Sequence, residues 1–217
     1  MSNTKTKKLT AIGMLCALAY IVVVVGRFPI GFVDFLKYDP KDIVIVIGGF
    51  IYGPLASFAI SAVVSIVEMF TISDTGVIGM IMNIISTCSF ACTAAFLYKK
   101  RHDMAGAVLG LVAGCALMAV AMVLWNYLIT PLYMGYPREA VAEMLLPVFL
   151  PFNLIKGSLN AGITVLLYKP VVTALRRAHL IETGSSKKAK VNVGVILVAL
   201  FVIVTCVLMI LSKMGII

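Results

Sequence analysis

The chain has 217 residues, of which 62% are apolar and only 12% charged, with a mean hydropathy of +1.09. A soluble domain is about 45–50% apolar and about 25% charged. No single core could bury this much apolar surface and leave a wettable exterior, so the chain reads as an all-α integral membrane protein. The 18 basic residues against 9 acidic ones give a formal charge of +9, but they do not mark a nucleic-acid binder. They sit in short clusters between long apolar runs, not on one solvated face.

A spanning helix needs about 20 apolar residues. The first run, 9–26, follows Lys5, Lys7 and Lys8 as a signal peptide would. No A-x-A-like site comes after it and the chain continues through Arg27 and Pro29, which predicts a retained first span. Residues 77–98, 105–131, 148–168 and 191–212 read as further spans. The stretch 42–72, charged only at Asp42 and Glu68, fits either one tilted helix or two shorter ones, 42–52 and 54–72, broken at Gly53-Pro54.

Charge parity separates these two. Twelve basic residues fall in three places: Lys5, Lys7 and Lys8; Lys99, Lys100 and Arg101; and Lys169, Arg176, Arg177, Lys187, Lys188 and Lys190. The positive-inside rule places all three in the cytoplasm. An even number of crossings must then join the first to the second, so 42–72 is expected to cross twice. The reading is a six-span domain over 1–178 with a cytoplasmic N-terminus, a basic linker over 179–190, and an extra C-terminal helix within 191–217. Asp34, Asp39, Asp42, Asp74, Glu139 and Glu143 fall on the opposite, external side.

Two external segments, 27–41 and 132–147, do not resemble flexible polar linkers. Phe28, Phe32, Phe35 and Tyr38 suit either a cover over something apolar or an interfacial aromatic belt. The five cysteines all lie in apolar runs; Cys88 and Cys92 share a helical face and read as packing in preference to a metal site.

Polar groups at membrane depth are costly unless they face protein or water, so each is a candidate functional residue. In PFNLIKG (151–157), Asn153 and Lys156 are three apart and share one face at the external start of the sixth span. Together they could hold a polar heteroaromatic or a carboxylate; alternatively Lys156 snorkels to the outer interface. Asn126, between Trp125 and Tyr127, suits a flat ring that stacks while the amide reads its edge, or else an interhelical hydrogen bond. Asn83 and Glu68 are weaker candidates: Asn83 could bridge helices, and Glu68 lies within a turn of the outer boundary, where solvation would account for it. On the first span, Gly13 and Ala17 form a small-xxx-small pattern that admits another helix, internal or foreign.

The sequence has no Walker A motif, no H-E-x-x-H and no nucleophile constellation. A protein that binds a ligand from outside without an energy source of its own needs a partner to drive transport.

Four stretches carry a likeness to a known family: FLKYDPKDI (35–43), GGFIYGPLA (48–56), WNYLITPLY (125–133) and PFNLIKG. Over about residues 9–178 the chain resembles the S components, or substrate-capture subunits, of energy-coupling factor (ECF) vitamin transporters. It is most similar to the riboflavin-specific ones. The resemblance implies a six-helix bundle with an external pocket capped by the loop between the first two helices. It implies riboflavin as transported ligand with no resident cofactor, and as partners a transmembrane coupling protein and two cytoplasmic ATPases. Asn126, Asn153 and Lys156 match flavin-contacting positions, and Leu36, Tyr38 and Asp39 fall in the capping loop. Gly13 and Ala17 match the face that meets the coupling protein. The seventh span departs from the family pattern. An S component for another vitamin, or a membrane enzyme or scaffold, remain the alternatives.

Overall fold

The computed structural model describes residues 2–30, 36–177 and 193–216, the side chains of 2–4, 133, 134 and 176 excepted. The expected linker 179–190, together with Phe32, Asp34 and Phe35 of the first external segment, lies outside the described residues. The elements in order are α1 (Ser2–Gly26), β1 (Phe28–Pro29), β2 (Lys37–Tyr38), α2 (Lys41–Tyr52), α3 (Pro54–Thr71), α4 (Gly76–Lys100), α5 (Met104–Met134), α6 (Arg138–Met144), α7 (Leu150–Arg177) and α8 (Val193–Lys213). Among the described residues, six helices are long and apolar enough to cross a bilayer: α1, α3, α4, α5, the continuous helix through α6 and α7, and α8.

The stretch 42–72 is broken where Gly53 takes φ +92°, a left-handed value open to glycine, and Pro54 begins the next helix at a position where its missing N–H costs nothing. Lys41 reaches Glu68, Ser57 donates to the Ile45 carbonyl, and Gly48 lies against Ile60. These pairings make α2 and α3 an antiparallel hairpin. The bounds agree with the expected pair, 42–52 and 54–72, to within one residue, and α2 is short for a crossing. At 12 residues α2 is about 18 Å long against a hydrocarbon core of about 30 Å. Every residue from Lys41 to Phe50 is buried, so α2 is a half-length helix enclosed by its neighbours.

The other expected external segment, 132–147, is helical except at Gly135–Pro137. α5 runs to Met134 and ends on Gly135 in the left-handed C-cap conformation. Arg138 then starts a helix that passes through a π-helical stretch, Leu145–Phe149, into α7. Pro147 has no N–H to donate back one α-turn, and the ladder slips there: the Leu150 N–H donates to the Leu145 carbonyl.

Packing is closest between α4 and α5. A Cβ on Gly110 would lie 2.7 Å from the Ala94 carbonyl oxygen, and one on Gly114 would strike the Phe90 carbonyl. Lipid tails are as apolar as leucine, so helices in a bilayer associate through such close approach and not through hydrophobic expulsion. One apolar cluster, including Leu15, Ile45, Ile60, Phe90, Leu111 and Met118, fills the space among α1 to α5. A second joins β2, α7 and α8.

Candidate functional site

The short antiparallel ribbon pairs Phe28 with Tyr38 and Pro29 with Lys37. The Phe28 and Tyr38 rings lie 5.1 Å apart, and Leu36 and Tyr38 are buried in the second apolar cluster. At its rim, Lys37 is tied to Asp74 in the α3–α4 turn at 3.0 Å. The Lys37 hydrogen bond and charge hold the exposed Asp74 carboxyl below its ordinary value. Below the ribbon the chain enters α2 through Asp39-Pro40 and meets the polar groups of three other helices, α3, α4 and α7.

Lys41, fully buried at the first position of α2, donates to Glu68 of α3 at 2.7 Å and pairs with Asp39 at 2.9 Å. Glu68 is only 1% exposed and also accepts from Asn83 of α4 at 3.1 Å. The sequence expectation that solvation would account for Glu68 is therefore corrected: proximity to the outer boundary does not expose it, because the ribbon folds over it. Asn83 bridges helices, donating to Glu68.

Asp42, the next residue of α2, faces the other way. It accepts from Thr87 of α4 at 2.6 Å and from Asn160 of α7 at 3.3 Å, and lies 3.5 Å from the Lys156 ammonium. Lys156 is 6% exposed, so it does not snorkel; it turns inward to a carboxylate. Asn160 connects the two halves. Its Nδ2 donates to the Asp39 carbonyl and to Asp42, and its Oδ1 accepts from the Tyr38 hydroxyl at 2.6 Å. Asn160 is ten residues into α7, about 15 Å from its start at 1.5 Å per residue, so the base of the ribbon is sunk well below the outer end of the bundle. Isolated charges at such depth would be untenable, and the pairing of two ammonium groups with three carboxylates is what permits them.

Among the residues singled out in the sequence, Leu36, Tyr38, Asp39, Lys156 and Asn83 are thus gathered around the start of α2. Asn126 and Asn153 are buried but spend hydrogen bonds on their own helices. Asn126 donates to the Met122 carbonyl and accepts from Thr130, and Asn153 donates to the Phe149 carbonyl. A side-chain amide has two N–H groups and two lone pairs, so both keep capacity for a ligand. Lys41, Asp42, Thr87 and Asn160 were not singled out. For Asn160 the available signal was an amide in an apolar helix one turn beyond Lys156, on the same face. Two further groups matter chemically: among the described residues, the buried Asp39 Oδ1 and the buried Trp125 Nε1 have no hydrogen-bond partner. One is an acceptor that calls for a donor and the other a donor that calls for an acceptor. Gly13 and Ala17 lie elsewhere, exposed on the outer face of α1, where a Cβ on Gly13 would meet nothing within 4 Å.

A multi-pass helical membrane protein with a polar cluster sealed at one end beneath a folded connection has the layout of a substrate-capture component. The family model described as ECF transporter, substrate-specific component, matches residues 7–168, and the chain belongs to that family. Its relatives include a protein named riboflavin transporter FmnP from Bacillus subtilis (strain 168), 33% identical over an alignment of 189 residues that covers 81% of this chain and 99% of the relative. Another, named riboflavin transporter RibU, from Staphylococcus aureus (strain TCH60), is 28% identical and covers 82% of this chain and 96% of its own. The fold matches a solved S component of a bacterial ECF transporter with a TM-score of 0.68 at 27% identity, over 80% of this chain and 99% of that one.

Proposed function

We propose that this chain is the riboflavin-capturing subunit of an ECF-type importer in the cell membrane, with its N-terminus in the cytoplasm. The observation that carries the reading is the cluster of ligand-competent polar groups at the ends of α2, α5 and α7 that the positive-inside rule assigns to the exterior. Riboflavin pairs a flat ring bearing polar edges with a polyhydroxyl chain. Asn126, Asn153 and Lys156 would bond the ring edge, with Trp125 and neighbouring apolar side chains against its faces. Hydroxyl groups of the ribityl chain would satisfy Asp39 Oδ1 beside Tyr38, Leu36 and the Lys41–Glu68 pair, while Asn83 holds Glu68 in place. Lys156 would exchange Asp42 for the ligand. A coupling protein docking on the Gly13/Ala17 face, together with two cytoplasmic ATPases, would drive release inward; the chain itself carries no catalytic role in that cycle.

Trp125 is the only tryptophan in the chain, so quenching of its emission reports flavin binding directly. Asn153→Ala and Lys156→Ala are each expected to weaken riboflavin binding by about 1–3 kcal/mol, the cost of a lost buried hydrogen bond. Unchanged affinity in both would remove this assignment of the site.

A further inference from the structure

The family match ends at residue 168, before α8 begins at Val193, yet α8 is built into the molecule. Gly162 of α7 is the point of closest approach: a Cβ there would lie 2.9 Å from Ile203 and 3.3 Å from the Ala199 carbonyl oxygen. A larger residue would force the two helices apart, and close approach is what holds helices together in a bilayer. From that crossing α8 runs antiparallel to α7, toward the ribbon. There Cys206 and Ile210, both buried, join Leu36, Tyr38, Phe149, Phe152, Ile155 and Leu159 in one packed cluster. The opposite face of α8, with Leu197, Phe201, Val204 and Leu208, is exposed, as a lipid-facing surface would be.

We infer that α8 is a positioning element for the capture site. It presses β2 against α7, preserves the Tyr38–Asn160 hydrogen bond, and closes the lipid side of the site so that bound ligand escapes slowly. The last point rests on the riboflavin reading above; the hold on β2 does not. The face of α1 bearing Gly13 and Ala17 stays exposed, so the added helix and the proposed docking surface do not compete.

The test uses the purified full-length chain in lipid nanodiscs and two readouts. The first is hydrogen–deuterium exchange of the backbone at Leu36–Tyr38 without ligand; the second is the rate at which bound riboflavin is released on dilution. Truncating a buried isoleucine weakens packing enough that Ile210→Ala should accelerate both by about tenfold or more. Gly162→Leu should do the same, and the exposed-face control Phe201→Ala should change neither. Exchange at Leu36–Tyr38 that stays at the wild-type rate in Ile210→Ala overturns the inference, whether or not Gly162→Leu folds. If the wild-type chain binds no riboflavin, the capture reading falls, and the exchange measurement still decides the role of α8.

Discussion

Lys41 answers two carboxylates, Glu68 and Asp39, at full burial. Removing one partner from such a group leaves uncompensated charge, which costs about 3–5 kcal/mol. Lys41→Met should therefore lower the unfolding midpoint in detergent sharply, and Lys41→Met combined with Glu68→Leu should cost less than the two single changes added together. A simple sum would show that the pair is not coupled. The exposed Lys37–Asp74 contact behaves differently. Asp74 is depressed by its bond to Lys37, so the tie is fully present above the ordinary aspartate range and is lost as pH falls through the lowered value. Protection of the Lys37 amide, corrected for intrinsic exchange, should fall on acidification in the wild type. It should be low and flat with pH over that window in Asp74→Asn, and weaken with added salt.

Among the elements, the α4–α5 pair depends on carbonyl oxygens sitting where side chains would otherwise be. A backbone atom cannot rotate away, so Gly114→Val must separate the helices; overpacking of this kind costs about 1–3 kcal/mol. Thermal unfolding should show the loss, with Val112→Leu, exposed on the same helix, as a neutral control. The same reasoning accounts for what was legible at this scale. Long apolar runs announce themselves by composition, and Gly53-Pro54 marks its own break. The length of α2 showed to within one residue, but its enclosure did not, because a helix enclosed by protein and a helix facing lipid have the same apolar sequence. Nor did the helical character of 132–147, where the π-slip at Pro147 lets a helix continue through a residue that ordinarily ends one.

For the whole molecule, the proposed reading assigns capture and docking to separate surfaces. On the proposed docking face, Gly13→Leu or Ala17→Leu should leave riboflavin affinity unchanged and reduce uptake by cells that supply the coupling protein and ATPases. Reduced affinity would instead place that face in the capture site. The +9 balance bears on the proposed orientation, since the positive-inside rule would put the Lys5, Lys99 and Lys169 clusters on the cytoplasmic side. Six basic residues lie outside those clusters, and three of them, Lys37, Lys41 and Lys156, are each held by a carboxylate.

By itself the sequence determined the class, the run of apolar helices, the break after Tyr52, and the prominence of Asn153 and Lys156, because burying polar groups among apolar ones is costly enough to stand out in composition. Which polar groups meet was decided only by tertiary structure. Asp42, Thr87 and Asn160 are far apart in the chain, and a hydrogen bond has a range of about 3 Å, so their convergence required α2 to insert between α4 and α7. The burial of Glu68 and the place of α8 beside the ribbon arise the same way, from packing geometry that no local pattern encodes.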